Sequence, residues 1–221
     1  MSAVPLRIDF VSDIACPWCA IGLASLRQAL HTLKDELQAE IHLQPFQLDP
    51  QLPPEGEDAG ERLMRKYGIG EAQLKANRKH IRERAAALGI TIQHREGDRA
   101  WNTFDAHRLL HWAGLQDADK ALELKQSLFH AYFADNHNVS DPAVLLRIVS
   151  AVGLDVDAAR RVLQGDEYAD AVRTREQSYQ QAGVHSVPAT IVNGKWLISG
   201  GQPPTAFEDA LRDIAAKATA G

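Results

Sequence analysis

The two cysteines of this chain lie close together in the segment Cys16-Pro17-Trp18-Cys19, between a predicted strand and a predicted helix. Residues 6–10, just before this segment, alternate apolar and polar side chains, which indicates a strand. After it, leucines recur at steps of three and four and predict a helix with one apolar stripe: Leu23, Leu26, Leu30, Leu33 and Leu37. Two thiols at such a junction are typical of a dithiol redox site.

The position of Pro17 distinguishes the two thiols. Proline fits the first position of a helix, where its missing N–H would have had no partner, so Cys16 becomes the helix N-cap. A thiolate there is stabilised by free backbone N–H groups and by the positive end of the helix dipole. We therefore predict that Cys16 is the nucleophile. Cys19 lies one turn later on the same face and is the predicted resolving thiol.

A zinc site or simple packing is the alternative interpretation of the two cysteines. Structural zinc takes four ligands, usually from two such pairs, and this chain has no second pair, although its nine histidines could supply the rest. We favour the redox interpretation and predict no metal.

Composition narrows the class of protein. The 221 residues are 45% hydrophobic, enough to fill the core of one large domain or two small ones. The net charge of −5 comes without a long basic run, and no span could cross a bilayer, so we expect no nucleic-acid or membrane partner. Residues 1–5 lead directly into the first strand, from which we expect a cytoplasmic location. Thiols are held reduced there, which favours a catalytic or regulatory cysteine pair.

The order of the remaining patterns predicts an α/β fold. Ile41–Phe46 is a second predicted strand, and only helical patterns follow from Glu61 to Gln181. Two further predicted strands, Ala189–Val192 and Lys195–Ile198, flank an Asn-Gly turn and precede a last helix. We predict a thioredoxin-like fold interrupted by an all-helical inserted domain, with the thioredoxin-like parts at 1–60 and 182–221 and the insertion at 61–181.

Several motifs carry a resemblance to a known family. They are Ser12–Cys19, Asn102–Arg108, Gly183–Pro188 and Ser199–Pro203. In this order they resemble the DsbA family, and within it the FrnE-like cytoplasmic subgroup, over nearly the whole chain.

The resemblance implies thiol-disulfide exchange through Cys16 and Cys19, with substrate contacts at Pro17, Trp18, Val187 and Pro188. It also implies a cis peptide bond before Pro188, opposite the cysteines. We expect no metal or organic cofactor, with glutathione as a candidate reductant or co-substrate. The expected partners are a disulfide-containing protein or small thiol substrate and a cellular dithiol reductant. Trp18 stands where periplasmic members have histidine, so strong oxidising power is not implied.

Three further residues are candidates for substrate binding. Asn102, His107 and Arg108 could face the active site and hold a substrate carboxylate or glutathione. Alternatively they cap or bond the helical domain internally, which we favour because asparagine before a helix is commonly a cap.

Two other functions remain open from the sequence. The kappa-class glutathione transferases and the 2-hydroxychromene-2-carboxylate isomerases resemble this fold, but they have serine in place of Cys16. A non-enzymatic redox sensor would also use reactive thiols.

Overall fold

A four-stranded mixed sheet organises the chain. The computed structural model describes residues 3–53 and 55–219. The strands are β1 (Val4–Ser12), β2 (Leu37–Pro45), β5 (Ala189–Val192) and β6 (Trp196–Ser199), in the spatial order β2-β1-β5-β6. The pair β1 and β2 is parallel and joined by a helix, whereas β5 is antiparallel to both β1 and β6. The sheet confirms the predicted α/β class and the predicted hairpin.

Two helices complete the thioredoxin-like part. Helix α1 (Pro17–Thr32) connects β1 to β2, and α9 (Pro204–Thr219) packs against both α1 and β1. Apolar faces of these elements, with Phe10, Leu26 and Phe207 fully buried, form the core between them. Burial of such side chains contributes about 1.5 to 3 kcal/mol each. The core therefore fixes the start of α1, which carries the cysteines, against the sheet.

Seven helices stand between β2 and β5 among the residues that the structure describes. They are α2 (Ala59–Tyr67), α3 (Glu71–Ala86), α4 (Phe104–Gly114), α5 (Ala118–Phe133), α6 (Pro142–Ala151), α7 (Val156–Gln164) and α8 (Ala169–Gln181). Asp117, Asp141 and Asp155 cap α5, α6 and α7 by accepting bonds from backbone N–H groups. The main apolar core runs on from β1 and α1 into α4 and α5. The inserted helices are thus packed directly against the sheet part.

Three sequence-based predictions were wrong in detail. Leu37 belongs to β2 and not to the first helix, because the chain turns between Leu33 and Glu36 while the leucine spacing continues. The second strand therefore starts four residues earlier than predicted. The helical block also contains a strand, since β3 (Glu57–Asp58) pairs with β4 (Arg99–Ala100). Two-residue strands are too short to produce a periodic pattern.

The predicted domain boundary at residue 60 falls inside α2, whereas the boundary at residue 181 coincides with the end of α8. Within the described residues, no helix is long and apolar enough to span a membrane. Across the same residues, no group of three or more His, Cys, Asp or Glu side chains is arranged to hold a metal ion.

Candidate active site

Cys16 is the N-cap of α1, as the position of Pro17 predicts. Its backbone carbonyl accepts a bond from the Cys19 N–H at 3.0 Å, and its thiol donates to the Val187 carbonyl at 3.6 Å. Both cysteines are free thiols. No acidic side chain occupies the first turn of α1. Cys16 is 5% exposed and lines a cavity, which makes it the accessible sulfur of the pair.

Close backbone packing forms one side of the site. The Val187–Pro188 bond is cis, in agreement with the expectation from the resemblance. A Cβ added at Gly22 would lie 3.0 Å from Pro188 Cγ, and one added at Gly201 would lie 2.8 Å from the Trp18 carbonyl oxygen. Glycine is therefore required at both positions for the approach of these segments. The structure brings Pro17, Trp18, Val187 and Pro188 together around Cys16.

Trp18 is held from the opposite side by α3. Its ring lies 5.6 Å from the His80 ring, and the Arg84 guanidinium lies 5.9 Å from its centroid. Arg84 also donates to the Gly201 carbonyl at 3.3 Å. An inserted helix thus fixes the residue between the two cysteines.

A cavity of about 620 Å³ opens beside Cys16. Its apolar wall includes Trp18, Leu52, Leu63, Trp101, Tyr132 and Phe133. Its cationic groups include Arg62 and Lys66, both ion-paired with Asp49, together with Arg78 and Arg99. Burial lowers the pKa of Lys66, as does Arg62, whereas Asp13 and Cys16 act to raise it. The carboxylates of Asp13, Asp49 and Asp98 also line the cavity, so it offers an apolar surface with charges of both signs to a molecule that approaches Cys16.

Asp13 forms a buried polar centre beneath the cysteines. It is 1% exposed, and its carboxylate accepts bonds from the Leu48 N–H at 2.7 Å and the Thr103 hydroxyl at 2.9 Å. His107 Nε2 lies 3.3 Å from the same carboxylate. Burial acts to raise the pKa of Asp13, but the interactions with His107, Leu48 and Thr103 outweigh it, so the pKa is lowered. The carboxylate is therefore held in its charged form.

The three further candidates have separate environments. His107 is buried against Asp13, and burial lowers its pKa. Arg108 donates to the carbonyls of Val162, Gly165 and Glu167. Asn102 donates to the Leu52 carbonyl and accepts from the N–H of Phe104. None of the three lines the cavity in the part of the chain that the structure describes. Arg108 bonds within the insertion at 61–181, whereas Asn102 and His107 bond across to Leu52 and Asp13 of the part at 1–60, so these two contacts are not internal to the helical domain.

Cys19 is fully buried behind Cys16. Burial raises the pKa of the Cys19 thiol well above its ordinary value, and the adjacent Cys16 raises it further. Lys125 of α5 is also buried, at 1% exposure, and burial lowers the pKa of its ammonium to about 8. The attractions that oppose this shift come from Cys19, Asp13 and Cys16, in decreasing order. A cationic group therefore stands in the electrostatic range of both thiols.

Thr103 and Lys125 are residues of the site that the sequence patterns did not reveal. Thr103 lies within the Asn102–Arg108 motif, but its contact with Asp13 joins residues 90 positions apart. The position of Lys125, in contrast, can be recognised from the pattern of buried residues along α5. Ala121, Lys125, Leu128 and Tyr132 are all buried at steps of four, three and four, so a lysine occupies an apolar stripe of α5.

The protein combines a mixed four-stranded sheet, a helical insertion between β2 and β5, and two thiols at the start of α1. These features define a thioredoxin-like protein with a dithiol site. Residues 7–212 match the DSBA-like thioredoxin domain. The chain therefore belongs to this family.

Two relatives match this chain over most of their length. The "probable DsbA oxidoreductase SCO1869" of Streptomyces coelicolor is 32% identical with a TM-score of 0.87, covering 94% of this chain and 89% of its own. The "uncharacterized protein YwbO" of Bacillus subtilis (strain 168) is 26% identical, covering 94% of this chain and 96% of its own.

More distant structures show the fold alone. The "cytosolic disulfide reductase DsbM" of Pseudomonas aeruginosa, solved with GSH, is 15% identical with a TM-score of 0.66, covering 94% of this chain and 98% of its own. A 2-hydroxychromene-2-carboxylate isomerase is 16% identical with a TM-score of 0.68, covering 96% and 98%.

Proposed function

We propose that this chain is a cytoplasmic thiol-disulfide oxidoreductase of the FrnE-like subgroup, which cycles Cys16 and Cys19 between dithiol and disulfide. The observation that carries the proposal is the asymmetry of the two sulfurs. Cys16 stands at the helix terminus and on the cavity, whereas Cys19 is fully buried one turn behind it. A pair with one accessible and one protected thiol suits sequential attack on a disulfide.

In the first step, the Cys16 thiolate attacks one sulfur of a substrate disulfide. A Cys16–substrate disulfide forms, and the other substrate sulfur leaves as a thiolate. In the second step, the Cys19 thiol loses its proton and its sulfur attacks Cys16 Sγ. The Cys16–Cys19 disulfide forms and the second substrate sulfur leaves. The substrate gains two electrons, and the enzyme loses two.

The residues around Cys16 support the proposal that the substrate is a disulfide-containing protein or a small thiol. We propose that Pro17, Trp18, Val187 and Pro188 contact it, since these residues surround the accessible sulfur. A cellular dithiol or glutathione restores the dithiol, and the chemistry requires no metal or organic cofactor. The Pseudomonas disulfide reductase was solved with GSH, and this, together with the arginines on the cavity wall, supports glutathione as a reductant.

Trapping of the mixed disulfide tests the order of attack. Cys19→Ser removes only the second step, so this variant accumulates covalent adducts through Cys16 with glutathione or a client protein. Mass spectrometry detects the adduct as a mass increase that a reductant reverses. Cys16→Ser is the matched control, and it forms no adduct and has no turnover. Adducts on the Cys16→Ser variant, formed through Cys19, would reverse the roles of the two thiols.

Turnover measurements separate the alternative functions. An isomerase or transferase keeps its activity when Cys19 is replaced, whereas the proposed oxidoreductase loses most of it. A redox sensor is oxidised stoichiometrically and shows no multiple turnover of a small disulfide with added reductant. Fractionation of cells expressing the full chain tests the cytoplasmic location.

A further inference from the structure

We infer that Lys125 accepts the proton of Cys19 when that thiol attacks the mixed disulfide on Cys16. The inference rests on the proposed function, because it assigns a residue to its second step. It places a proton-transfer group of the site on α5, outside the Cys16–Cys19 segment and within the helical insertion.

The position of Lys125 supports this role. Helix α5 packs against α1, α4, α6 and β2, and Lys125 on this helix is buried. The ionisable groups facing it are Cys16 and Cys19 from α1, Asp13 from the loop before α1, and His107 from α4. Cys19 has the strongest attraction for it among these groups. Glu176 of α8 faces Asp13 from a further element, and burial raises the pKa of this carboxyl to about 7, with Asp13 adding to the shift.

A structural role does not account for this lysine. Its ammonium lies 5.0 Å from the centroid of the Phe129 ring, but within the described residues no carboxylate is close enough to form an ion pair with it. Asp13 already accepts bonds from Leu48 and Thr103. A buried ammonium without an ion-pair partner is destabilising, because burial penalises the charged form. With a pKa of about 8, a fraction of Lys125 is an uncharged amine at neutral pH, and this amine can take up a proton.

Cys19 needs a proton acceptor before its sulfur can attack. Its thiol is fully buried, and its raised pKa leaves little thiolate at neutral pH. In the inferred step, the Cys19 S–H bond breaks and its proton moves to the Lys125 amine. The Cys19 sulfur then attacks Cys16 Sγ, and the Cys16–substrate bond breaks. The substrate leaves as a thiolate, and the lysine ammonium later returns its proton to that thiolate or to water.

A two-phase thiolate release isolates this step. The full-length, reduced protein is mixed with one equivalent of an aromatic disulfide whose thiolate absorbs visible light. Attack by Cys16 releases the first thiolate, and attack by Cys19 releases the second. Lys125→Met keeps the length of the side chain but cannot accept a proton. We expect its second phase at neutral pH to be at least about tenfold slower, which is below the usual contribution of a general base.

The pH profile supplies a measurement that a structural role would not change. In the wild-type protein, the second-phase rate rises with pH and levels off near the Lys125 pKa of about 8. In Lys125→Met it continues to rise toward the higher pKa of Cys19. A wild-type profile without an inflection near this value overturns the inference even if the variant does not fold.

Two further variants sharpen the test. Lys125→Arg keeps the positive charge but releases no proton at these pH values, so its second phase is slow as well. A fast second phase in this variant would show that charge alone is needed and would overturn the inference. Lys120→Met, at an exposed position of the same helix, is the control and keeps the wild-type rate.

Failure of the inference differs from failure of the proposed function. If wild-type protein releases only one thiolate, Cys19 does not resolve the mixed disulfide and the proposed function fails. If wild type and Lys125→Met release both thiolates with equal rates and equal pH profiles, only the role of Lys125 is overturned.

Discussion

The two sides of the cysteine pair are built in different ways. On one side, Gly22 and Gly201 let Pro188 and Trp18 approach through close packing, and the charged Arg84 only borders this contact, at the Gly201 carbonyl and the Trp18 ring. On the other side, Asp13 accepts bonds from groups of the inserted segment, and Lys125 lies within the same buried region. The first side depends on shape and the second on electrostatics. The inserted helices therefore form part of the active site and do not merely cover it.

This difference predicts which changes have large effects. Strain from an added methyl group on the packed side is partly relieved by small shifts of neighbouring atoms. Loss of a buried acceptor leaves donors without partners, and their desolvation is not recovered. The buried polar side should therefore be the more sensitive of the two.

The largest effect is expected for Asp13→Ala. Its removal deprives the Leu48 N–H and the Thr103 hydroxyl of their acceptor and leaves His107 without its carboxylate partner. We expect the free energy of unfolding to fall by about 3 to 5 kcal/mol, the range for removing one partner of a buried charged pair. Urea unfolding followed by circular dichroism measures this loss.

Asp117→Ala provides the matched control for this prediction. Asp117 also accepts two backbone bonds, but it is an exposed N-cap of α5. Its loss should cost about 1 kcal/mol. Equal losses for the two variants would show that the burial of Asp13 does not set its contribution.

A smaller effect is expected for Gly201→Ala on the packed side. The new Cβ would lie 2.8 Å from the Trp18 carbonyl oxygen and 3.3 Å from its ring, so the backbone must shift. We expect a loss of about 1 to 3 kcal/mol in the free energy of unfolding, as for overpacking. Turnover of a small disulfide should also fall, because Trp18 separates the two cysteines.

Gly114→Ala tests whether that loss comes from the close approach. A Cβ at Gly114 meets only Ala121 Cβ at 3.9 Å, an ordinary contact. Because alanine is the better helix former, this variant should gain about 0.5 to 1 kcal/mol. A comparable loss in both variants would contradict the packing explanation.

Acidification should weaken the polar side selectively. The pKa of His107 is lowered by burial from an ordinary 6.5, so the unfolded chain binds a proton first and stability falls as pH drops below 6.5. Asp13 has a pKa below its ordinary 3.8, so its contribution is kept above that value and lost only as pH falls through the folded-state pKa. Between these values the decline therefore comes from histidine and not from Asp13, and it is partly offset by Glu176, whose pKa burial raises to about 7, so that its protonation favours the folded state as pH falls.

His107→Gln checks the assignment of this decline. Glutamine does not titrate, so the variant should lose stability less steeply than wild type between pH 6.5 and 3.8. A part of the decline remains, because burial also lowers the pKa of His94, to about 4, and that of His111. Parallel stability curves for variant and wild type would show that His107 is not charged on unfolding.

The same difference explains what the sequence could predict. Cys16, Pro17 and the Val187–Pro188 segment lie in short motifs, and the predicted strands and N-cap follow from local patterns. The polar side depends on contacts such as Asp13 with Thr103, which only tertiary packing creates. The prediction that Leu37 belongs to the first helix was wrong for a related reason, because the leucine spacing continues through the turn that ends α1. Local patterns identify the thiols but not the buried ionisable groups around them.

The smallest effect is expected for an ion pair that has good geometry but no burial. Arg212 donates to both carboxylate oxygens of Glu36, at 2.9 and 3.0 Å, and the pair joins α9 to the segment before β2. Water solvates both groups, and salt screens them. Glu36→Gln should therefore leave the urea midpoint and the rate of disulfide turnover unchanged within error. If Glu36→Gln destabilised the protein as much as Asp13→Ala, hydrogen-bond geometry and not burial would set the contribution of charged groups in this fold, and the distinction between the two sides of the site would lose its physical basis.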